Sequence, residues 1–218
     1  MHVEPLNPCV FPLSRGLTIN MLPMIIGDPA SLPRVYRHYL PLVTACEVER
    51  EQLGRIGYLS IWETQVPHGG TQRRPGIHTE GWGEVGGPAW GSGGRQDGRR
   101  HGGLYLATSR ADTCRIWDLR IEHPGPHGDC ESFRATLETM PCLLMEANRL
   151  YWIHDRTPHE ALAQPEAGVR QWFRFVTSGV THWFARYSTP NPLGIKPAAH
   201  IVHARVSVKD AWRRQATT

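Results

Sequence analysis

Short apolar runs separated by glycine and proline are the dominant pattern along this chain. In the first of them, residues 57–66, apolar and aromatic side chains recur at strand-like positions between polar ones, and the later runs are rich in β-branched and aromatic residues. Many short strands divided by Gly/Pro turns indicate a β-sandwich or barrel. The predicted strands are 57–66, 103–109, 113–121, 142–146, 150–154, 170–178 and 181–187.

Helical spacing occurs only in segments of the sequence outside these predicted strands. Residues 32–53 repeat apolar positions near helical spacing, although Pro41 is expected to break or kink that helix. A short helix is predicted over 131–137, and another from Ser207, where Asp210 stands in the capping-box position. Residues 1–33 are turn-rich with poor periodicity. The pattern therefore predicts a mainly β fold with flanking helices.

A glycine-rich segment interrupts the strand pattern. Residues 69–103 hold 13 glycines in 35 residues, a composition that favours a loop with short strand pieces rather than a packed element. Ordered loops of this length are typically functional, and we interpret this one as a lid. Residues 188–218 form an irregular tail that begins with a proline-rich stretch. No linker divides the chain, so one domain over 1–218 is predicted.

Composition and charge narrow the classes of partner. The 218 residues carry a net charge of +4, and the arginines are scattered rather than arranged in a stripe, which argues against a nucleic-acid surface. No run approaches the roughly 18 to 20 apolar residues of a membrane helix, and the N-terminus lacks a secretory pattern. Five cysteines without CxxC spacing predict reduced thiols and a cytoplasmic location. Structural zinc, a GxSxG nucleophile elbow and a phosphate loop are not indicated.

The twelve histidines suggest a search for metal ligands. Residues i and i+2 of a strand point to the same face, so a His-x-Asp/Glu pair supplies two adjacent ligands. The chain has three such pairs, at His2, His78 and His127. The first lies at the chain terminus and the third within HPGPHGD, where proline and glycine disrupt a strand. His78 and Glu80 follow the strand 57–66 and a turn, and are therefore the predicted pair.

A third ligand is expected from a later strand. His159, preceded by Pro158 and by the strand 150–154, is the best candidate. Arg170 and Arg174 follow it by 11 and 15 residues and, with Trp172, point to one face of a strand. Arginine inside a barrel is costly unless it meets an anion, and a dicarboxylate would supply one.

His78-x-Glu80, the distal His159 and an arginine beyond it resemble the HxD/E…H…R motif of the Fe(II)/2-oxoglutarate-dependent dioxygenase superfamily. Glu in place of the commoner Asp resembles its clavaminate-synthase-like branch. The resemblance covers residues 57–187 and leaves both ends unmatched. It implies a double-stranded β-helix, the jelly-roll or cupin-like fold, which agrees with the strand pattern.

The resemblance also implies roles for individual residues. His78, Glu80 and His159 would hold Fe(II), and Arg170 or Arg174 would bind the far carboxylate of 2-oxoglutarate, with spacing favouring Arg170. A small-molecule substrate would be oxidised, most simply hydroxylated, as 2-oxoglutarate is converted to succinate. A monomer or homodimer that binds neither nucleic acid nor membrane is expected.

Several side chains are candidates for substrate contact, and two alternative functions stay open. Trp172 lies on the same predicted strand as Arg170 and Arg174, and Trp82, Trp90 and His101 lie in the glycine-rich segment. The first alternative is a cupin-type metal enzyme that does not use 2-oxoglutarate and recruits His101 or His127. The second is a non-catalytic β-sandwich binding module. The predicted substrate-contacting residues are Trp82, Trp90, His101 and Trp172.

Overall fold

The computed structural model describes residues 1–82 and 89–203. Within them the chain is mainly antiparallel β-structure with short helical segments, so the predicted fold class is confirmed at that level. The strands are β1 (Val3–Pro8), β2 (Thr18–Ile25), β3 (Ile56–Val66), β4 (Gly94–Gln96), β5 (Arg99–His101), β6 (Leu104–Thr108), β7 (Cys114–Ile116), β8 (Leu143–Leu144), β9 (Arg149–Ile153), β10 (His159–Ala161), β11 (Gly168–Val176), β12 (His182–Phe184) and β13 (His200–Val202). The helices are α1 (Leu40–Ala45) and α2 (Arg134–Leu137), with 3-10 turns at Pro29–Ser31, Arg34–Tyr39, Arg50–Gln52, Pro126–Gly128 and Glu131–Phe133.

The largest sheet has six antiparallel strands in the order β1-β9-β6-β11-β3-β2. Its two edge strands lie within residues 1–33, where the sequence predicted turns instead of strands. Pro5 and Pro8 in β1, and Pro23 in β2, obscured the strand pattern. Proline is tolerated at a sheet edge because the missing N–H can face away from the ladder.

The helical segments are shorter than predicted. In place of one helix over 32–53, a 3-10 turn leads into α1, and a second 3-10 turn follows. Pro41 stands in the first turn of α1, where its missing N–H needs no intrahelical acceptor. The predicted strand 142–146 is reduced to β8, whose Leu144 is 46% exposed rather than buried. The helix predicted from Ser207 lies outside the described residues.

A second sheet, in the order β10-β7-β8, packs against the first. Leu106 and Trp172 of the large sheet and Cys114 and Ile116 of β7 belong to one buried cluster. The two layers are consistent with a β-sandwich. His78 extends the small sheet, because it forms an isolated bridge to the first residue of β10. His78, one of the predicted ligands, therefore stands at the edge of the small sheet.

The six-stranded sheet has two contrasting faces. On β11, Arg170, Trp172 and Arg174 point towards the small sheet, and this side is called the cavity face. Gln171 and Phe173 point the other way, towards the segment that contains α1, and this side is called the helix face. The alternation follows from the two-residue period of a strand.

All five cysteines carry free thiols, and four of them are buried. Burial raises the pKa of the Cys114 thiol to about 12 and that of Cys9 to about 11, so both are protonated at neutral pH. None of the helices in the described ranges has both the length and the apolar character needed to cross a bilayer.

Candidate functional site

A cavity of about 120 Å³ lies between the two sheets, on the cavity face. Its walls combine aromatic rings with an unusual number of cationic and imidazole groups. Ligand pockets commonly pair an apolar wall with a few convergent polar groups, which makes this cavity the candidate site. The lining residues are Asn20, Trp62, Arg73, Arg74, His78, Thr79, Glu80, Trp82, Trp90, Leu106, Cys114, His127, His159, Ala161, Arg170, Trp172, Arg174 and Tyr187.

His78 and His159 face each other across two paired segments. The N–H of each donates to the carbonyl of the other at 3.0 Å, so they form a directly opposed antiparallel pair. Side chains of such a pair leave the sheet on the same side. Their ring centroids are accordingly 4.6 Å apart. The pairing brings together two histidines that are far apart in sequence.

Both imidazoles are fixed in the same tautomer. His78 Nδ1 lies 2.8 Å from the Gly76 carbonyl, and His159 Nδ1 lies 2.9 Å from the Thr157 carbonyl. A carbonyl oxygen only accepts, so each Nδ1 carries the proton and each Nε2 keeps its lone pair. Burial lowers the pKa of His159, and burial together with His159 lowers the pKa of His78 well below its ordinary value. Two neutral Nε2 donors result, oriented as metal-binding histidines commonly are.

Glu80 lies on the same segment as His78 and approaches both histidines. Its main-chain N–H donates to the carbonyl of Asp155 at 2.9 Å, and that of Gly81 donates to the same oxygen at 2.8 Å. A Cβ at Gly81 would stand 2.5 Å from Asp155 Oδ2, so glycine is needed for this approach. Burial alone would raise the pKa of Glu80, but the nearby positive groups, Arg174 first among them, together outweigh burial and the pKa falls to about 2. Glu80 is therefore ionised.

The Glu80 carboxylate is paired with a cation rather than with the imidazoles. Oε1 accepts a hydrogen bond from Arg174 Nη1, and no donor among residues 1–82 and 89–203 reaches Oε2. In these same ranges, no three His, Cys, Asp or Glu side chains stand close enough together to hold an ion as they are. The donor set of two neutral imidazoles and one carboxylate nevertheless has the chemistry of a non-haem iron site, with one carboxylate oxygen still available.

The two arginines predicted on β11 differ in their partners. Arg174 contacts Glu80, and its Nη2 also lies 3.2 Å from Asn20 Oδ1. Arg170 donates from Nε to Thr108 Oγ1 at 3.0 Å, whereas its Nη1 and Nη2 are buried without an acceptor in the described part of the chain. Burial lowers the pKa of Arg170 to about 10, which leaves it cationic at neutral pH. Within the described ranges, Arg170 is thus a fork of donors that no carboxylate meets.

Three of the four predicted substrate-contacting residues line the cavity. Trp82 stacks on Phe184 at 5.9 Å, Trp90 lies under the Arg174 guanidinium at 4.9 Å, and Trp172 also lines the wall. His101 does not join them, because it is exposed on β5 in the hairpin that β4 and β5 form. The glycine-rich segment therefore contributes Trp82 and Trp90 to the cavity through its described residues.

Two further cavity arginines had no distinguishing sequence pattern, whereas His127 was predicted only as a ligand of the cupin-type alternative. Arg73 and Arg74 come from the turn before His78, in a stretch with no periodicity. His127 lines the cavity with its ring 4.5 Å from Trp82, and Asp129 forms a bridge to His78 on the side opposite His159. The HPGPHGD stretch was not the predicted source of a ligand pair, because proline and glycine disrupt a strand there. It reaches the site through its turn conformation instead.

Comparisons with known proteins add two distant structural neighbours. No protein-family model matches the chain, and no curated protein matches its sequence. HygX from Streptomyces hygroscopicus with iron bound is 12% identical, with a TM-score of 0.43 over 86% of this chain and 81% of that chain. HygX with nickel and 2-oxoglutarate bound is also 12% identical, with a TM-score of 0.38 over 92% of this chain and 83% of that one. Similarity at this level assigns no function to this chain.

Proposed function

We propose that the chain is a non-haem Fe(II)/2-oxoglutarate-dependent oxygenase that hydroxylates a small organic substrate. One observation carries the proposal: the opposed pair His78 and His159 presents two neutral Nε2 atoms beside ionised Glu80, in a cavity that also holds the unpaired Arg170 fork. Two histidines, one carboxylate and a buried guanidinium are what iron and a dicarboxylate cosubstrate require. The proposed fold is a double-stranded β-helix, of which the two packed sheets are the layers.

His78, Glu80 and His159 would be the metal ligands. The carbonyls of Gly76 and Thr157 hold the Nδ1–H groups, which fixes both rings with Nε2 towards the cavity. Glu80 Oε2 is available to the ion while Oε1 remains with Arg174. Arg174 would then orient the ligand carboxylate, which distinguishes its role from that of Arg170.

Arg170 would bind the far carboxylate of 2-oxoglutarate. Its Nε is anchored by Thr108, so the two free Nη groups are held in a fixed plane that matches a carboxylate. Burial strengthens this charge pair because little water competes for it. Iron and 2-oxoglutarate together supply the oxidising chemistry: one atom of O₂ ends in succinate, with release of CO₂, and the other in the hydroxylated product. The tryptophans of the cavity wall exclude water and position the substrate.

The decisive experiment is an anaerobic titration of the full chain with Fe(II) and 2-oxoglutarate. Chelation of the keto acid is expected to produce a weak visible charge-transfer band in the wild type. Arg170→Ala should require much more 2-oxoglutarate to produce it, and Arg50→Ala, which changes an exposed arginine, should behave as the wild type. His78→Ala/His159→Ala should lose stoichiometric iron. A wild type without the band at saturating ligand would contradict the use of 2-oxoglutarate.

A cupin-type metal enzyme that does not use 2-oxoglutarate is the second candidate. It is favoured by His127, which lines the cavity and could add a further imidazole. On this alternative, the wild type binds metal but shows no band, Arg170→Ala keeps activity, and His127→Ala weakens metal binding. A chain that binds no stoichiometric metal would leave a non-catalytic binding module.

A further inference from the structure

The charged groups of the cavity do not balance. Arg174 is paired with Glu80, and Arg74 has Asp129 at 3.7 Å and the His127 carbonyl at 3.0 Å. Arg170 would be paired by 2-oxoglutarate under the proposed function. Among residues 1–82 and 89–203, no carboxylate pairs with the remaining cavity guanidinium, Arg73.

Arg73 is held in an aromatic slot. Its guanidinium carbon lies 4.5 Å from the ring centroid of Trp62 and 4.2 Å from that of Trp172. These two tryptophans are direct partners in the β3–β11 register, so the slot is part of the sheet itself. A planar guanidinium stacked on rings presents its N–H groups edgewise. Nη1 is buried and finds no acceptor in the part of the chain that the structure describes.

Gln72, the residue before Arg73, holds the turn against the two strands that form the slot. Gln72 is buried, and its Nε2 contacts the Arg170 carbonyl at 2.7 Å, Thr64 Oγ1 at 2.9 Å and the Trp62 carbonyl at 3.2 Å. This side chain ties the turn to both β3 and β11. Arg73 therefore has a set position rather than the freedom of a surface arginine. Burial and the nearby Arg174 lower the pKa of Arg73 to about 9, and it remains cationic at neutral pH.

We infer that the substrate is a small organic acid with an apolar, preferably aromatic, body, and that Arg73 binds its carboxylate; this rests on the proposed function. A buried guanidinium N–H without an acceptor, such as Arg73 Nη1, is costly unless a ligand anion accepts from it. Trp82, Trp90 and Leu106 supply an apolar wall for the rest of the molecule. Arg73 and Arg170 then bind two different carboxylates, one of the substrate and one of the cosubstrate.

The test measures binding of simple acids by saturation-transfer NMR on the full chain. The probes are benzoate, phenylacetate and 3-phenylpropionate, each compared with its amide, with and without Fe(II) and 2-oxoglutarate under anaerobic conditions. At least one acid should bind saturably. The affinity of its amide should be lower by about tenfold or more. Saturating 2-oxoglutarate should not displace the acid.

Matched variants test whether Arg73 binds the carboxylate of the probe acid. Arg73→Met keeps an apolar stem between the two tryptophans and removes the charge, so acid binding should fall about tenfold or more. Arg73→Lys, which keeps the charge without the planar fork, should give an intermediate affinity. Arg50→Met should bind the acid as the wild type does. Near-UV circular dichroism and the melting temperature establish that each variant is folded.

Arg170→Met separates this inference from the proposed function. It should weaken 2-oxoglutarate binding about 30-fold and leave acid binding unchanged. If 2-oxoglutarate never binds while acid binding depends on Arg73, the carboxylate site stands and the oxygenase assignment fails. The inference is overturned if no acid binds, if acids and amides bind equally, or if Arg170→Met rather than Arg73→Met abolishes acid binding.

Discussion

A buried or partly buried carboxylate lies next to each face of the six-stranded sheet, Glu63 on the helix face and Glu80 across the cavity, and their hydrogen-bond partners differ. On the helix face, Glu63 accepts from the main-chain N–H groups of Arg15 at 2.6 Å and Leu17 at 2.9 Å, and from the Tyr39 hydroxyl at 2.6 Å. Gln171 Nε2 adds a contact at 3.1 Å. On the cavity side, Glu80 is bonded to Arg174 alone, and one oxygen is free of donors from the described residues.

The pKa of each carboxyl lies below its ordinary value for a different reason. Burial would raise the pKa of Glu63, but hydrogen bonds from Leu17, Tyr39 and Arg15 outweigh it. Burial would also raise the pKa of Glu80, where the nearby positive groups, Arg174 first among them, together outweigh it. Glu63 is held as an anion by protein donors, whereas Glu80 is held by a cation and leaves room for a further ligand.

The contrast separates structural from functional polar groups. Buried polar atoms in folded proteins are normally hydrogen-bonded, so a saturated carboxylate such as Glu63 contributes to stability. On the cavity face, Arg170 and Arg73 keep buried N–H groups without acceptors in the described residues. Buried N–H groups without acceptors cost stability, and under the proposed function a bound carboxylate would accept from them.

Glu63→Ala should have the largest effect on stability. It would leave the buried Tyr39 hydroxyl without its carboxylate acceptor and would remove the acceptor of two partly buried main-chain N–H groups, which costs about 3 kcal/mol of unfolding free energy. Urea denaturation measures this, with the exposed Glu51→Ala as control and a change within about 0.5 kcal/mol expected for it. A loss below about 1 kcal/mol in Glu63→Ala would mean that water replaces the carboxylate.

Arg170→Met should have the opposite profile. Removing a buried guanidinium whose Nη groups lack acceptors should leave the unfolding free energy of the empty chain unchanged or raise it by about 1 kcal/mol. The affinity for 2-oxoglutarate should fall about 30-fold. Isothermal titration under anaerobic conditions and urea denaturation give the two numbers. A destabilised variant with unchanged 2-oxoglutarate affinity would make Arg170 a structural residue.

Strand periodicity explains which parts of the site the sequence could predict. The i, i+2 rule placed His78 and Glu80 together, and the same rule placed Arg170, Trp172 and Arg174 on one face of β11, where they line the cavity. His159 followed from the expectation that a third ligand comes from a later strand. The cross-strand pairing with His78 bears out their proximity, although their role as ligands stays a prediction.

Turns and edges explain what the sequence could not predict. Arg73 reaches its slot only because Gln72 ties an irregular turn to two strands, and no periodic pattern marks such a turn. His127 adopts a φ of 60° next to Gly128, a turn geometry that carries no strand pattern. The edge strand β1 was not predicted either. Its prolines obscure the strand pattern, and its partner β9 lies far along the chain, so no neighbouring sequence indicates the pairing.

A pH series on Glu63→Gln sharpens the comparison with a smaller effect. Because the folded pKa of Glu63 lies below its ordinary 4.5, its charge stabilises the fold above pH 4.5, and that contribution is lost as pH falls through the folded pKa. The wild type should therefore exceed Glu63→Gln by about 1 kcal/mol between pH 5 and 7, and by less below pH 4.5. Urea denaturation at each pH measures the difference. A gap that widens on acidification would contradict the assignment.

The smallest predicted effect isolates one donor of the Glu63 network. Tyr39→Phe removes the hydroxyl that donates to Glu63 and keeps the ring, which stacks on Phe173 with centroids 6.5 Å apart. Glu63 retains its main-chain donors and Gln171, so the loss should be about 1 kcal/mol. A double-mutant cycle with Glu63→Gln should give a coupling energy of about 0.5 kcal/mol or more, because the two groups touch. Additive losses would show that the Tyr39 hydroxyl contributes independently of the carboxylate, and the helix face would then hold Glu63 through its main-chain donors and Gln171.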